Sequence, residues 1–86
     1  MLNKLITMLN NEESNIVVNV FEDFGETTLH LANLMNMFAT VLVNEDNEIE
    51  VYVEEYIPED EDYNQIECRH YKTVKGAYNY IRKMLP

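Results

Sequence analysis

The chain has no lysine or arginine between Glu12 and Glu67, although all 16 of its acidic residues lie in that stretch. Only 6 Lys and Arg occur in the 86 residues, which leaves a formal net charge of −10. Contact with nucleic-acid phosphates requires a cationic surface, so this balance disfavours direct binding of DNA or RNA. It indicates instead an attraction to basic partners, whose encounter an anionic field accelerates.

Cysteine, glycine and proline are also scarce. A single cysteine, Cys68, cannot close an intramolecular disulfide, so we expect a reducing compartment, the cytoplasm. Two glycines and two prolines exclude a collagen-like chain, and a hydrophobic content of 47% excludes a wholly disordered one. Neither a membrane-spanning apolar run nor a signal-peptide pattern is recognisable. We therefore expect a single domain, residues 1–86, in the cytoplasm.

The apolar pattern predicts an α+β fold, in which an antiparallel β-sheet of three to five strands lies between an N-terminal and a C-terminal helix. Leu2, Leu5 and Leu9 recur at helical spacing and predict the first helix. Thr73 is the expected N-cap of the second helix. Its predicted buried stripe consists of Val74, Ala77, Tyr78, Ile81 and Leu85.

A first hairpin is predicted around the turn Asp23-Phe24-Gly25, with residues 15–22 as its first strand. Pairing Glu22 with Thr27 places Leu29 opposite Val20 on one face. The stretch from residue 27 to 39 is ambiguous, because the apolar residues from 31 to 38 also fit a helix. We favour the strand.

A second hairpin is predicted around the turn at residues 44–47. Alternation on both sides of this turn indicates that the odd-numbered apolar residues of the second strand face the even-numbered residues of the first. The expected pairs, all on the buried face, are Leu42–Ile49, Thr40–Val51 and Phe38–Val53.

Candidate catalytic and metal-binding residues are few. Cys68 and His70 lie on the same side of a predicted strand from residue 65 to 71, but no third group at a recognisable spacing orients them. His30 stands alone, and neither zinc-ligand spacings nor a glycine-rich phosphate loop are present. We expect a protein that is not an enzyme and that needs neither a cofactor nor a metal.

The strand from residue 48 to 57 is the best candidate for a binding surface. Its apolar face carries Ile49, Val51, Val53 and Ile57, and its polar face carries Glu48, Glu50, Tyr52, Glu54 and Tyr56. Residues on one face recur every ~6.6–6.8 Å, a spacing comparable to that of neighbouring phosphates in a nucleic-acid strand. Acidic residues extend the row at both ends, namely Glu45 and Asp46 before it and Glu59, Asp60, Glu61 and Asp62 after it. Together these residues form the predicted partner-binding site, in which the tyrosines supply apolar anchors.

With its pI near 4.4, its small size and this anionic face, the chain resembles a class of small acidic α+β proteins from phages and mobile elements. The class includes anti-CRISPR proteins, anti-restriction proteins and uracil-DNA glycosylase inhibitors. The resemblance implies an inhibitor that mimics DNA and occupies the cationic nucleic-acid-binding groove of a host enzyme. An anti-CRISPR protein that blocks a Cas nuclease in the host cytoplasm is the specific form we expect.

The alternative is a small regulatory or assembly module without catalytic activity. Such a module would self-associate through its sheet edge or through an apolar helix face. The five methionines and the apolar residues on both faces of the strand from residue 38 to 43 favour this reading. The sequence is compatible with a monomer or a homodimer.

Overall fold

The structure is a computed structural model, and it describes residues 2–11 and 15–86. Its elements in chain order are α1 (Leu2–Asn10), β1 (Val17–Asp23), β2 (Glu26–Ala32), β3 (Met37–Val43), β4 (Ile49–Ile57), β5 (Asp62–Tyr71) and α2 (Val74–Met84). The strands lie in the order β1-β2-β3-β4-β5, and each is antiparallel to its neighbour. The predicted α+β class is confirmed. No helix in the described part of the chain is long and apolar enough to span a membrane.

Both helices pack on one face of the sheet, which we call the helix side. Leu5 and Leu9 of α1 and Ile81 of α2 are buried there with Leu85, which follows α2. They meet the inward side chains of the three central strands, which are Leu29, Leu31, Ala39, Val41, Ile49, Val51 and Val53. In the described part of the chain no helix lies over the opposite surface, which we call the open face. A cross-strand row marks it, consisting of Asn19, His30, Thr40, Tyr52 and Cys68.

The first hairpin has the predicted register, with Val20 opposite Leu29 and Glu22 opposite Thr27. Its two-residue turn has positive φ at both Phe24 (51°) and Gly25 (78°), as type I′ turns require. Residues 26–32 are therefore strand rather than helix. The strand is favoured because pairing with both neighbours buries Leu29 on the helix side.

A tight turn at residues 33–36 connects β2 to β3. A helix through residues 27–39 would have left no residues for such a connection. The side-chain Oδ1 of Asn33 accepts the backbone N–H groups of Met35 (2.9 Å) and Met37 (3.0 Å). Asn36 has a φ of 61°, a conformation that asparagine tolerates well. The turn leaves Leu34 exposed instead of buried in a helical stripe.

The predicted register of the second hairpin is wrong by one residue. Instead of the pairs Leu42–Ile49, Thr40–Val51 and Phe38–Val53, the structure has Val43–Ile49, Val41–Val51 and Ala39–Val53. The connecting loop includes Glu48, because the Oδ1 of Asn44 accepts the N–H groups of Asp46 and Glu48. One extra loop residue shifts the register, and a shift of one reverses the faces of β3. Phe38, Thr40 and Leu42 therefore lie on the open face.

The C-terminal helix begins as predicted. The Oγ1 of Thr73 accepts the N–H of Gly76 at 3.1 Å and caps α2. Ala77 and Ile81 are buried as expected. Tyr80 is also buried, although the predicted stripe did not include it, whereas Val74 and Tyr78 of that stripe are only half-buried.

Candidate binding surface

The polar face of β4 has the predicted alternation. Ile49, Val51 and Val53 are fully buried on the helix side. The side chains of Glu50, Tyr52, Glu54 and Tyr56 lie between them on the open face and are half-buried. Glu48 belongs to the preceding loop and not to the strand. The strand thus presents two carboxylates and two tyrosines to the open face.

The register of β3 determines what lies beside these carboxylates. Leu42 faces Glu50, and Phe38 faces Glu54. Both apolar side chains are half-buried on the open face. The surface is therefore amphipathic, because Leu42 and Phe38 add apolar side chains to the row of carboxylates and tyrosines that the sequence predicted.

Glu50 is held in a network of hydrogen bonds. Its Oε2 accepts the hydroxyl of Tyr52 at 2.5 Å and its Oε1 accepts the amide of Asn44 at 3.2 Å, while its side chain is 16% exposed. The hydrogen bond from Tyr52 is the main reason that the pKa of Glu50 is lowered. The same bond is the main cause that raises the pKa of Tyr52 to about 12. Glu50 consequently keeps its charge and a defined position.

The Cys68–His70 pair lies on the open face beside this network. The Sγ of Cys68 is 3.9 Å from the Nε2 of His70, and the Oε1 of Glu50 is 3.6 Å from that same nitrogen. In a nucleophile relay the orienting carboxylate binds the ring nitrogen that the nucleophile does not use. Glu50 and Cys68 share one nitrogen, so this arrangement does not have the geometry of a catalytic triad.

Other chemistry-bearing groups are dispersed. The ring of His30 packs edge-on against Phe21, with 4.7 Å between the ring centroids. Within residues 2–11 and 15–86, no group of three or more His, Cys, Asp or Glu side chains is placed to hold a metal ion.

Three aromatic side chains meet on the open face near the loop that joins β4 to β5. The ring centroid of Tyr63 lies 5.4 Å from that of Phe38 and 5.1 Å from that of Tyr56. We call these three residues the aromatic cluster. Tyr63 is 52% exposed, so part of the cluster is open to a partner. Of the three residues, the sequence reading included only Tyr56. The incorrect register hid Phe38, and β5 begins three residues before its predicted start, which hid Tyr63.

The acidic loops lie at the two ends of β4. Glu45 and Asp46 are in the loop before the strand, and the residues from Glu59 to Asp62 follow it, all of them exposed. A strand of nine residues separates the two loops by roughly 26 Å at ~3.3 Å per residue. The predicted residues thus extend along one strand and its two ends instead of converging on a cleft.

Most of the basic residues lie away from the open face, but Lys72, which follows β5, lines a surface pocket with Asp46 and Glu48. Arg69, the only Lys or Arg within the strands, is opposite Val51 on the helix side. Its guanidinium pairs with Glu67 and lies 5.4 Å from the ring centroid of Tyr80. Further cations, Lys75, Arg82 and Lys83, belong to α2. Arg69 and the cations of α2 thus lie on the helix side, together with the carboxylates of Glu55 and Glu67.

A comparison of the chain with protein-family models, with curated proteins and with solved structures gives no match. The class of the protein is accordingly described by its own features. It is a small α+β protein with helices on one side of a sheet and an anionic, aromatic surface on the other.

Proposed function

We propose that this protein is a non-catalytic inhibitor that places its open face in the cationic nucleic-acid-binding groove of a host enzyme. A Cas nuclease blocked by DNA mimicry is the specific target we propose. One observation carries the proposal. The open face combines the carboxylates of Glu50 and Glu54 with tyrosines and has acidic loops at both ends, while none of its strand residues is Lys or Arg.

The distribution of charge supports an oriented approach. Glu50 and Glu54 lie on the open face and further acids lie in its flanking loops and at the start of β5, whereas Lys75 and Lys83 belong to α2 on the helix side. A cationic groove attracts the first side and repels the second. Such steering raises the association rate and selects the open face for first contact.

The aromatic cluster supports a short-range mode of binding. Tyrosine and arginine are the residues that most often dominate interface energies, and a guanidinium stacks well on a tyrosine ring. The chain already contains this arrangement within itself, where Arg69 lies over Tyr80 and both contact the carboxylate of Glu67. An arginine of the partner can adopt the same arrangement on Tyr63, with Glu54 or Asp62 as the carboxylate.

Inhibition then follows from competition. A groove whose arginines and lysines are engaged by the open face is not available to a duplex. No bond is made or broken in this mechanism, which relies on desolvated ion pairs and ring contacts. Its affinity is expected to fall as the salt concentration rises, because part of the attraction is screened.

The test is a competition assay with purified, guide-loaded Cas nucleases and a fluorescent target duplex. The parent protein should displace the duplex from at least one nuclease, with a steep dependence on salt. Glu54→Lys should weaken this inhibition by at least ~10-fold, or about 1.4 kcal/mol. Glu55→Lys is the matched control, because it makes the same charge change at the next residue of β4, an exposed position on the opposite side of the strand.

The outcomes separate the parts of the proposal. An equal loss of inhibition in Glu54→Lys and Glu55→Lys would mean that net charge, and not the open face, governs binding. If Glu54→Lys inhibits as strongly as the parent, the open face is not the binding surface. Failure of the parent to displace DNA from any nuclease would contradict the Cas target. Displacement from another DNA-binding enzyme, such as a restriction enzyme or a uracil-DNA glycosylase, would identify a different groove.

Self-association through the sheet edge is favoured by a separate observation. The apolar stripes of α1 and α2 are buried against the sheet, with Leu5, Leu9 and Ile81 in the core. Of the two surfaces considered for self-association, the sheet edge is therefore the one that remains exposed.

A further inference from the structure

The edge strand β1 exposes an unusual amount of apolar surface. Among the residues that the structure describes it pairs only with β2, and Val17, Val20 and Phe21 are 56%, 47% and 55% exposed. Natural edge strands are usually protected by lysine, proline, a bulge or a covering element. β1 contains neither lysine nor proline, and its pairing with β2 is regular over all seven residues. Residues 17–21 of this edge therefore carry no charge, proline or bulge against pairing with another strand, and the two acids, Glu22 and Asp23, lie at the C-terminal end of the strand.

The backbone of β1 is oriented for such pairing. In a hairpin with a two-residue turn, the pair that closes the turn, here Asp23–Glu26, is hydrogen-bonded, and hydrogen-bonded pairs alternate from there. The amide and carbonyl groups of Val18, Val20 and Glu22 consequently point away from β2. They form one side of an antiparallel ladder.

We infer that β1 pairs with β1 of a second copy of this chain, antiparallel and centred on Val20, so that the two sheets become continuous. In this register each Val20 lies beside the second copy's Val20, and each Phe21 lies beside the second copy's Asn19. The ladder joins Val18 of one copy to Glu22 of the other. The two Val20 side chains thereby cover each other at the two-fold axis, while each Phe21 packs beside the second copy's Asn19.

The placement of the acids within β1 favours a second copy in the antiparallel sense. Glu22 and Asp23 occupy one end of the strand, and the other end is apolar. Antiparallel pairing brings Asp23 beside the second copy's Val17, so the two Asp23 residues are six positions apart, roughly 20 Å. That distance exceeds the Debye length of ~8 Å at physiological ionic strength. The most direct repulsion is thus avoided without any cation on the strand.

The other edge of the sheet is protected, which limits the assembly to two copies. β5 has a bulge opposite Val53 and Glu54, where Ile66 is the extra residue. It also carries the charged side chains of Glu67 and Arg69. Bulges and charges are the features that blunt an edge. A pairing that uses β1 twice closes on itself, whereas a β1-to-β5 pairing would continue indefinitely.

Dimerisation is a property beyond the proposed inhibition. Its affinity should change with salt concentration in the opposite direction to the affinity for the target enzyme. Each copy carries a net charge of −10, so association of two copies becomes stronger as salt screens their repulsion. Binding of the open face to a cationic groove becomes weaker under the same change. The dimer places two open faces side by side in one continuous sheet, which permits bivalent attachment to a partner with two cationic sites.

The experiment is sedimentation velocity and equilibrium from about 1 to 500 µM protein, in 0.15 M and 0.5 M NaCl. The parent should form a dimer with a dissociation constant in this range, lower at the higher salt concentration. Val20→Lys should raise that constant at least ~30-fold, since it places two like charges side by side at the two-fold axis. The matched control is Ile66→Lys, which makes the same charge change at a 43% exposed apolar residue of the opposite edge strand.

The dimer dissociation constant of Ile66→Lys should lie within threefold of that of the parent. Thermal melts establish that each variant is folded. If Val20→Lys does not fold, Phe21→Lys tests the same interface at the neighbouring residue of β1. A parent that stays monomeric at 500 µM in both salts would overturn the inference. A parental dissociation constant for Val20→Lys, or for Phe21→Lys where that variant replaces it, would also overturn the inference. Assembly of the parent into species larger than a dimer would do so as well.

Discussion

Val41 of β3 lies directly opposite Val51 of β4, and both side chains are fully buried on the helix side. This pairing determines which side chains β3 contributes to the open face. Because side chains alternate along a strand, burial of Val41 sends its neighbour Leu42 to the other surface, beside Glu50. The apolar character of the candidate binding surface therefore originates in the register of a single hairpin.

The register is tested by placing an aspartate at each of these neighbours in β3. Val41→Asp should unfold the domain, because an unpaired charge in the core costs several kcal/mol, comparable to the whole stability of a small domain. Leu42→Asp should remain folded and lose at most about 2 kcal/mol, because its half-buried side chain can keep the charge in water. Urea unfolding measures both. A folded Val41→Asp beside an unfolded Leu42→Asp would restore the register expected from the sequence.

Ionisation of Tyr52 should make the fold less stable at high pH. Its pKa is raised to about 12 in the folded protein, mainly by the hydrogen bond to Glu50, against an ordinary value of 10. The folded state therefore favours the protonated phenol, and the resulting stability is complete below pH 10 and is lost between pH 10 and 12. The free energy of unfolding of Tyr52→Phe should decline less than that of the parent over this window, as urea unfolding at pH 9 and 11.5 measures.

The absorbance of ionised tyrosine gives an independent readout of the same interaction. Tyr80 also has its pKa raised to about 12, chiefly by burial. Tyr52 and Tyr80 should therefore titrate late in the parent, and one of these two late steps should be missing in Tyr52→Phe. Early titration of every tyrosine in the folded parent would contradict the hydrogen bond between Tyr52 and Glu50.

A substitution in the turn of the first hairpin should increase the stability of the fold. Phe24 has a φ of 51°, a left-handed conformation that costs an ordinary residue roughly 1–2 kcal/mol, and its side chain is 98% exposed. Asparagine tolerates this conformation, and Asn-Gly is the preferred sequence of type I′ turns. Phe24→Asn should therefore stabilise the fold by about 1 kcal/mol in urea unfolding. A loss of stability would show that the phenylalanine ring has a packing role within the chain.

The aromatic cluster should contribute to binding through the ring of Tyr63. Tyr63→Ala should weaken inhibition of the target by ~10-fold or more and leave the fold intact, because a half-exposed ring is removed from the interface. Tyr63→Phe should retain most of the activity, because it keeps the ring. Phe24→Asn serves as the control for loss of an exposed ring elsewhere. Equal inhibition by Tyr63→Ala and the parent would exclude the cluster from the interface.

Local signals in the sequence determined much of the fold. The Thr73 cap, the helical spacing in α1 and the turn with Gly25 act within a few residues, and each was predicted correctly. The alternation of β4 is equally local, because one of its faces is purely apolar through the residues from 49 to 53. Where one face is apolar and the other polar, burial leaves a single register and orientation.

Only the tertiary structure decided which face of β3 is buried. Both of its faces are apolar, since Phe38 and Leu42 alternate with Ala39 and Val41, so hydrophobicity alone favours neither. The choice depends on the side chain of Asn44, which draws Glu48 into the loop, and on the fit of Ala39 and Val41 under the helices. The placement of Leu42 beside Glu50 and the meeting of Phe38 with Tyr63 follow from that choice. Such contacts join strands distant in sequence, and local patterns do not encode them.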